Sequence, residues 1–206
     1  MNTSAILTRT REYYEGKLRE HGATPAGVDW NSLESQTLRF KQLLKVCDQT
    51  GPFSINDYGC GYGALVDYMI REGFTFSYSG LDISERMVNM ASELHELAFC
   101  RFVSDEHELA LADYTVASGI FNVKQEVSER DWGRYVMETI AKIGRLSKKG
   151  FAFNALTKYS DADHMRPDLY YADPLSLFDF CKKNFSKFVA LLHDYPLYEF
   201  TILVRF

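Results

Sequence analysis

The run Asp57-Tyr58-Gly59-Cys60-Gly61-Tyr62-Gly63 holds the residues best suited to chemistry in this 206-residue chain. It follows Phe53-Ser54-Ile55-Asn56, which reads as a buried strand, and leads into Ala64-Leu65, where a helix opens. Glycines take up positive φ and let a ligand approach the backbone without a Cβ in the way. The following helix turns its free N–H groups and positive dipole end toward that ligand. Strand, glycine turn and helix in this order make a seat for a nucleotide-like small molecule.

Gly59, Gly61 and Ala64 satisfy the degenerate fingerprint Gly-x-Gly-x-x-Gly/Ala that cradles a dinucleotide pyrophosphate. Three features point elsewhere: the acid two positions before the first glycine (Asp57), the third glycine at 63 instead of 64, and a motif set well inside the chain. Together they resemble the first motif of the class I S-adenosylmethionine-dependent methyltransferases, acidic-x-Gly-x-Gly-x-Gly, which is filled here without a departure.

About 20 residues beyond the glycines, the separation that one helix and one strand need, Phe76-Ser-Tyr-Ser-Gly-Leu-Asp82 reads as the next strand ending in an acid. A carboxylate there can accept two hydrogen bonds from a ribose diol. Ser84 is the better cap for the helix that follows, with Met87 and Val88 opening its apolar face. By the resemblance, Asp57, Gly59, Cys60, Gly61, Gly63, Asp82, Ile83 and Met87 hold S-adenosylmethionine, and S-adenosylhomocysteine leaves as product. The family places an adenine contact at the end of the third strand, where Ser104 and Asp105 stand. After the fourth strand, Ser118, Gly119, Phe121 and Asn122 occupy the region that touches the methionine part of the cofactor and the acceptor. This stretch departs from the Asn-Pro-Pro-Tyr type of fourth motif, which disfavours methylation of DNA bases or of glutamine. Cys60 fits a packing role between the glycines better than that of a nucleophile.

The elements that must position these residues follow from periodicity. Residues 5–21 give an amphipathic helix with Ile6, Leu7, Tyr13, Tyr14 and Leu18 as inward candidates, and about 32–48 give a second. Next come a helix over 63–72, the strand ending at Asp82, a helix over 84–97 and a strand at 99–103. A strand at 113–119, a long helix at 131–147 closed by Lys148-Lys149-Gly150, and a strand at 151–156 continue the alternation. After an irregular insertion, 157–173, a helix opens at Pro174, and runs at 187–193 and 198–205 read as strands. Asp194-Tyr-Pro-Leu197 is too short for a crossover helix, so those two strands should pair antiparallel. The expected fold is α/β: one doubly wound, mostly parallel seven-stranded sheet with an antiparallel C-terminal hairpin and two extra N-terminal helices. It forms a single domain over 1–206, with a helical cap at 1–50 and a cofactor core at 51–156.

A composition of 46% hydrophobic and 25% charged residues is that of an ordinary globular domain, and a net charge of −5 argues against nucleic acid or anionic membrane as partners. Four irregularly spaced cysteines and no partnered histidines argue against a zinc site and for a reducing compartment, the cytoplasm. No metal is expected, and the chain is expected as a monomer or homodimer.

Methyl transfer from a sulfonium needs alignment, a dry pocket and, for hydroxyl or ammonium acceptors, somewhere for a proton to go. Acceptor-side candidates lie in the N-terminal helices (Tyr13, Tyr14, Trp30, Gln36, Arg39 and Phe40) and in the insertion (Lys158, Tyr159, His164, Tyr170 and Tyr171). Both regions should cover the mouth of the pocket. Tyr13 and Tyr14 are adjacent, so one packs while the other closes over the sulfonium. Arg39 is a candidate partner for a carboxylate of cofactor or substrate. His164 is the candidate general base, with Tyr14 as a second catalytic candidate. The leading expectation is methyl transfer to an oxygen or nitrogen of a polar small molecule. A nicotinamide-dependent oxidoreductase and a non-catalytic S-adenosylmethionine-binding partner protein are the alternatives.

Overall fold

A computed structural model describes residues 3–206. Seven strands form one sheet: β1 (Phe53–Tyr58), β2 (Phe76–Leu81), β3 (Cys100–Val103), β4 (Ala112–Ala117), β5 (Ser147–Leu156), β6 (Phe188–Leu192) and β7 (Glu199–Arg205). Their order is β3-β2-β1-β4-β5-β7-β6. The first five are parallel, and β7 lies antiparallel between β5 and β6. The helices are α1 (Thr3–His21), α2 (Leu33–Leu43), α3 (Ala64–Arg71), α4 (Glu85–Leu94), α5 (Glu129–Arg145) and α6 (Pro174–Asn184). This is the α/β sheet with an antiparallel C-terminal pair that the alternation of elements implied. Among the described residues, no helix is long and apolar enough to cross a membrane.

Strand alternation sends the core to both faces of the sheet. Phe151, Phe153 and Ala155 of β5 pack with Trp132, Val136 and Ile140 of α5, while Ala152 turns to the other face with Leu43, Leu65 and Met69. Serines and an aspartate start four of the helices. The side chains of Ser32, Ser84, Ser128 and Asp173 accept the backbone N–H of Ser35, Met87, Asp131 and Leu175.

Several boundaries differ from the sequence reading. The second helix gives way after Leu43 to a 3-10 turn, Leu44–Val46. The fourth stops at Leu94 because His95 turns inward, stacking on Phe102 at 5.8 Å between ring centroids. Lys148-Lys149-Gly150 lie within β5 and do not close α5. Gly150 is needed there because a Cβ would come within 2.4 Å of the Val204 carbonyl oxygen on β7.

The register places the site. Asp57 pairs with Gly80 on one side and with Val116 on the other. The ends of β1, β2 and β4 are therefore level, at the point where chain order reverses between β1 and β4. In open α/β sheets ligands bind at such a switch point.

Candidate cofactor cavity

The glycine turn is stitched to β2. Gly59 and Cys60 both donate their backbone N–H to the Leu81 carbonyl, at 2.7 and 2.9 Å. Asp82 then accepts the backbone N–H of Gly61 at 3.0 Å with one carboxylate oxygen and that of Ser84 at 2.9 Å with the other. Each oxygen keeps a lone pair for a further donor. Burial pushes the Asp82 carboxyl up to about 6, against the two backbone bonds that favour its ionised form. Asp57, 3% exposed, accepts the Tyr78 hydroxyl at 2.8 Å, and burial pushes its carboxyl up to about 7.

Beyond the turn lies a cavity of about 320 Å³. Asp57, Gly59, Cys60, Gly61, Asp82, Ile83, Met87, Ser104, Asp105, Ser118 and Gly119 all line it, together with Tyr14, Trp30, Gln36 and Phe40 from the N-terminal segment. Three of its glycines have positive φ and each receives a side chain where a Cβ would stand: Ile120 against Gly59, Val28 against Gly61, and Trp30 against Gly119. The Cys60 thiol fills the space left by Gly80, and burial drives its pKa well up, so it packs and does not attack. The hydroxyl oxygen of Ser118 is buried without a hydrogen-bond partner among the described residues. Ser118 itself belongs to the cavity lining.

The wall of α1 combines Leu7, Thr10, Arg11 and Tyr14, one face at helical spacing. Sequence reasoning missed Thr10 and Arg11, although that spacing held the signal. It also missed Val28, Tyr58, Glu106 and Tyr135, which line the cavity as well. The Tyr58 hydroxyl and the Lys142 ammonium both donate to Glu106, at 2.9 and 2.8 Å, closing the wall beside Asp105.

Other candidate residues lie outside this lining. Gly63 caps α3 with φ +85, and a Cβ there would meet His95 at 2.7 Å. Tyr13 donates its hydroxyl to Asp29 at 2.8 Å, beside the Lys17–Asp29 ion pair at 2.9 Å. Arg39 is committed to Glu199, with Nη2 2.6 Å from the carboxylate. Phe121 is wholly buried against Phe153. Asn122 accepts the Leu156 N–H at 3.2 Å and so ties its loop to β5.

Insertion 157–173 adds no residue to the lining among the described residues. Lys158 pairs with Asp173 at 2.8 Å, Tyr159 is exposed near His193, Tyr170 packs on the core and Tyr171 accepts the Arg166 N–H at 2.9 Å. His164 is exposed and stacks on Tyr198 at 5.5 Å. It gathers with Asp161 and Asp163 on the surface, away from the lined cavity.

No protein-family model matches the chain. A protein of Mycobacterium tuberculosis (strain ATCC 25618 / H37Rv) named "Putative methyltransferase Rv1506c" is 51% identical over 163 residues, covering 79% of this chain and 98% of that one. Among solved structures, magnesium protoporphyrin IX methyltransferase from Synechocystis PCC 6803 with bound S-adenosylmethionine superposes with a TM-score of 0.64 at 13% identity, over 97% of this chain and 96% of that one. Human N-acetylserotonin methyltransferase in complex with S-adenosylmethionine gives 0.65 at 14% identity, over 100% of this chain and 60% of that one. These two likenesses speak for the fold. With the curated relative, the sheet order and the glycine turn closed by Asp82, they show that the chain belongs to the class I S-adenosylmethionine-dependent methyltransferase family.

Proposed function

We propose that this protein transfers a methyl group from S-adenosylmethionine to an oxygen or nitrogen of a polar small molecule. The observation that carries the reading is the convergence of Asp82, the glycine turn and the orphan Ser118 hydroxyl on one cavity at the switch point of the sheet. The residues present fit that cofactor. Asp82 has carboxylate lone pairs to spare for a ribose diol, Ser104 and Asp105 offer polar atoms to an adenine edge, and Ile83 and Ile120 supply apolar surface on the same lining. Gly59, Gly61, Ser118 and Gly119 line the part of the cavity proposed for the amino-acid end, where the Ser118 hydroxyl can donate. Bound there, the cofactor supplies an electrophilic methyl group on a sulfonium.

The chain itself contributes alignment and exclusion of water. The aromatic side chains of Tyr14 and Trp30 line the cavity and suit a sulfonium by cation–π attraction. Gln36, 2% exposed, accepts the Tyr62 hydroxyl at 3.3 Å and keeps its amide N–H groups for an acceptor oxygen. Burial raises the pKa of Tyr14, Tyr62 and Cys60, so these groups stay protonated and hydrogen-bond as neutral groups. All four cysteines are free, which supports a reducing, cytoplasmic setting.

Calorimetric titration with S-adenosylmethionine, S-adenosylhomocysteine and NAD, repeated for Asp82→Ala, tests the reading. Micromolar binding of both adenosyl compounds, lost in the variant, is expected. Binding of NAD alone, or of none of the three, overturns it.

A further inference from the structure

A closed circuit of contacts runs through one end of the cavity. The Arg39 guanidinium lies over the Trp30 indole, 3.9 Å from the ring centroid. On its other side Arg39 forks onto Glu199: Nε lies 3.0 and 2.9 Å from the two carboxylate oxygens, and Nη2 lies 2.6 Å from one of them. Glu199 also accepts the side-chain amide of Asn154 at 2.6 Å, and Asn154 in turn accepts the backbone N–H of Gly119 at 2.7 Å. Gly119 returns to the start, since a Cβ on it would lie 2.2 Å from the Trp30 indole. Trp30 and Gly119 line the cavity; Arg39, Asn154 and Glu199 stand behind them.

The pair is deeply buried, with side-chain exposures of 9% for Arg39 and 1% for Glu199. A buried ion pair costs so much desolvation that well-packed apolar residues often serve stability as well or better. What apolar residues cannot reproduce is direction. A planar fork on a carboxylate fixes the guanidinium plane, and that plane fixes the indole stacked on it. The same carboxylate, through Asn154, fixes the peptide N–H of Gly119.

We propose that Glu199 is a positioning residue that clamps Trp30 against Gly119 and thereby sets the shape of the cavity. It lies outside the lining and acts through Arg39 on one side and Asn154 on the other. Its consequence for cofactor affinity rests on the methyltransferase reading above. Its consequence for Trp30 does not.

The test uses the full chain carrying Arg39→Met with Glu199→Leu, an apolar pair of similar volume, and separately Arg39→Lys, which keeps the charge and loses the flat face. Three properties are read: melting temperature, S-adenosylhomocysteine affinity by calorimetry, and acrylamide quenching of Trp30 fluorescence in the ligand-free protein, assigned by its loss in Trp30→Phe. The expected result is a folded double variant that melts lower, because the buried Asn154 amide loses its acceptor, with markedly greater quenching of Trp30 and at least tenfold weaker binding. Arg39→Lys should show greater quenching and several-fold weaker binding. Wild-type quenching in either folded variant overturns the clamp, as does wild-type affinity in a variant whose Trp30 has become accessible. If the double variant does not fold, Arg39→Lys decides. If the unmodified protein does not bind S-adenosylhomocysteine, the methyltransferase reading fails while the quenching still decides the clamp.

Discussion

Asp82 and Gly61 are joined by a 3.0 Å hydrogen bond from backbone N–H to carboxylate, so the acid ending β2 and the turn following β1 form one unit. The same carboxylate holds the start of α4 through Ser84. A ligand that donates to Asp82 therefore meets a group already fixed from two sides, with little ordering left to do.

Replacing Asp82 by Asn should leave one acceptor oxygen and weaken S-adenosylhomocysteine about tenfold, or about 1.4 kcal/mol. Asp82→Ala should weaken it further and also lower the melting temperature, because the Gly61 and Ser84 N–H groups lose their partner. Titration calorimetry and thermal melts measure the two effects separately.

Stability should depend on pH through Asp57. Burial raises its carboxyl to about 7 in the folded chain, above the ordinary carboxylate range. The folded state therefore binds the proton more tightly than the unfolded state does. The resulting stabilisation is full below the ordinary carboxylate range and is lost as pH rises through about 7. Asp82, raised to about 6, adds a contribution of the same sign that is lost at slightly lower pH. Melting of the ligand-free protein between about pH 5 and pH 8 should show a falling temperature, with a shallower slope in Asp57→Asn. An equal slope in that variant would refute the assignment.

Gly119→Ala should be costly out of proportion to one methyl group. The residue has φ +73, and the new Cβ would sit 2.2 Å from the Trp30 ring. A loss of about 1–3 kcal/mol in chemical denaturation is expected, together with weaker cofactor binding. Trp30→Leu in the same chain should recover the part due to the clash and leave the backbone strain.

Phe121 and His164 should separate packing from ligand contact in opposite ways. Phe121→Ala removes a wholly buried ring from the face between β5 and α5 and should cost about 3–5 kcal/mol of stability. His164→Ala removes an exposed ring outside the cavity and should change stability by less than about 0.5 kcal/mol. S-adenosylhomocysteine affinity should stay at the wild-type value in the second variant.

Local features were legible in the sequence because they are written in neighbouring residues. The glycine turn, the acid closing β2, the Ser84 cap and the short link between β6 and β7 each depend on a few positions in a row. Arg39 shows where such reading stops. Its face on α2, shared with Gln36 and Phe40, suggested a ligand partner, but the carboxylate it meets is 160 residues away on β7. Gly150 resembled a helix terminator because nothing near it in sequence announces the β7 backbone beside it. The insertion's polar residues resembled a substrate surface, yet they bond to one another and to adjoining segments, as Lys158 does to Asp173 and Arg166 to Asp168.

The place of β7 between β5 and β6 has a kinetic consequence. A strand that pairs with β5 from so far along the chain can be added only after a long loop has closed, which is the slow kind of pairing. Until then Arg39 has no carboxylate and Trp30 no fixed plane to lie against. During refolding, secondary structure should therefore return before the indole is shielded, and the ability to hold a ligand should return with the indole. Damage confined to the last strand would surface far from it, as a misshapen wall in a cavity that no residue of that strand lines.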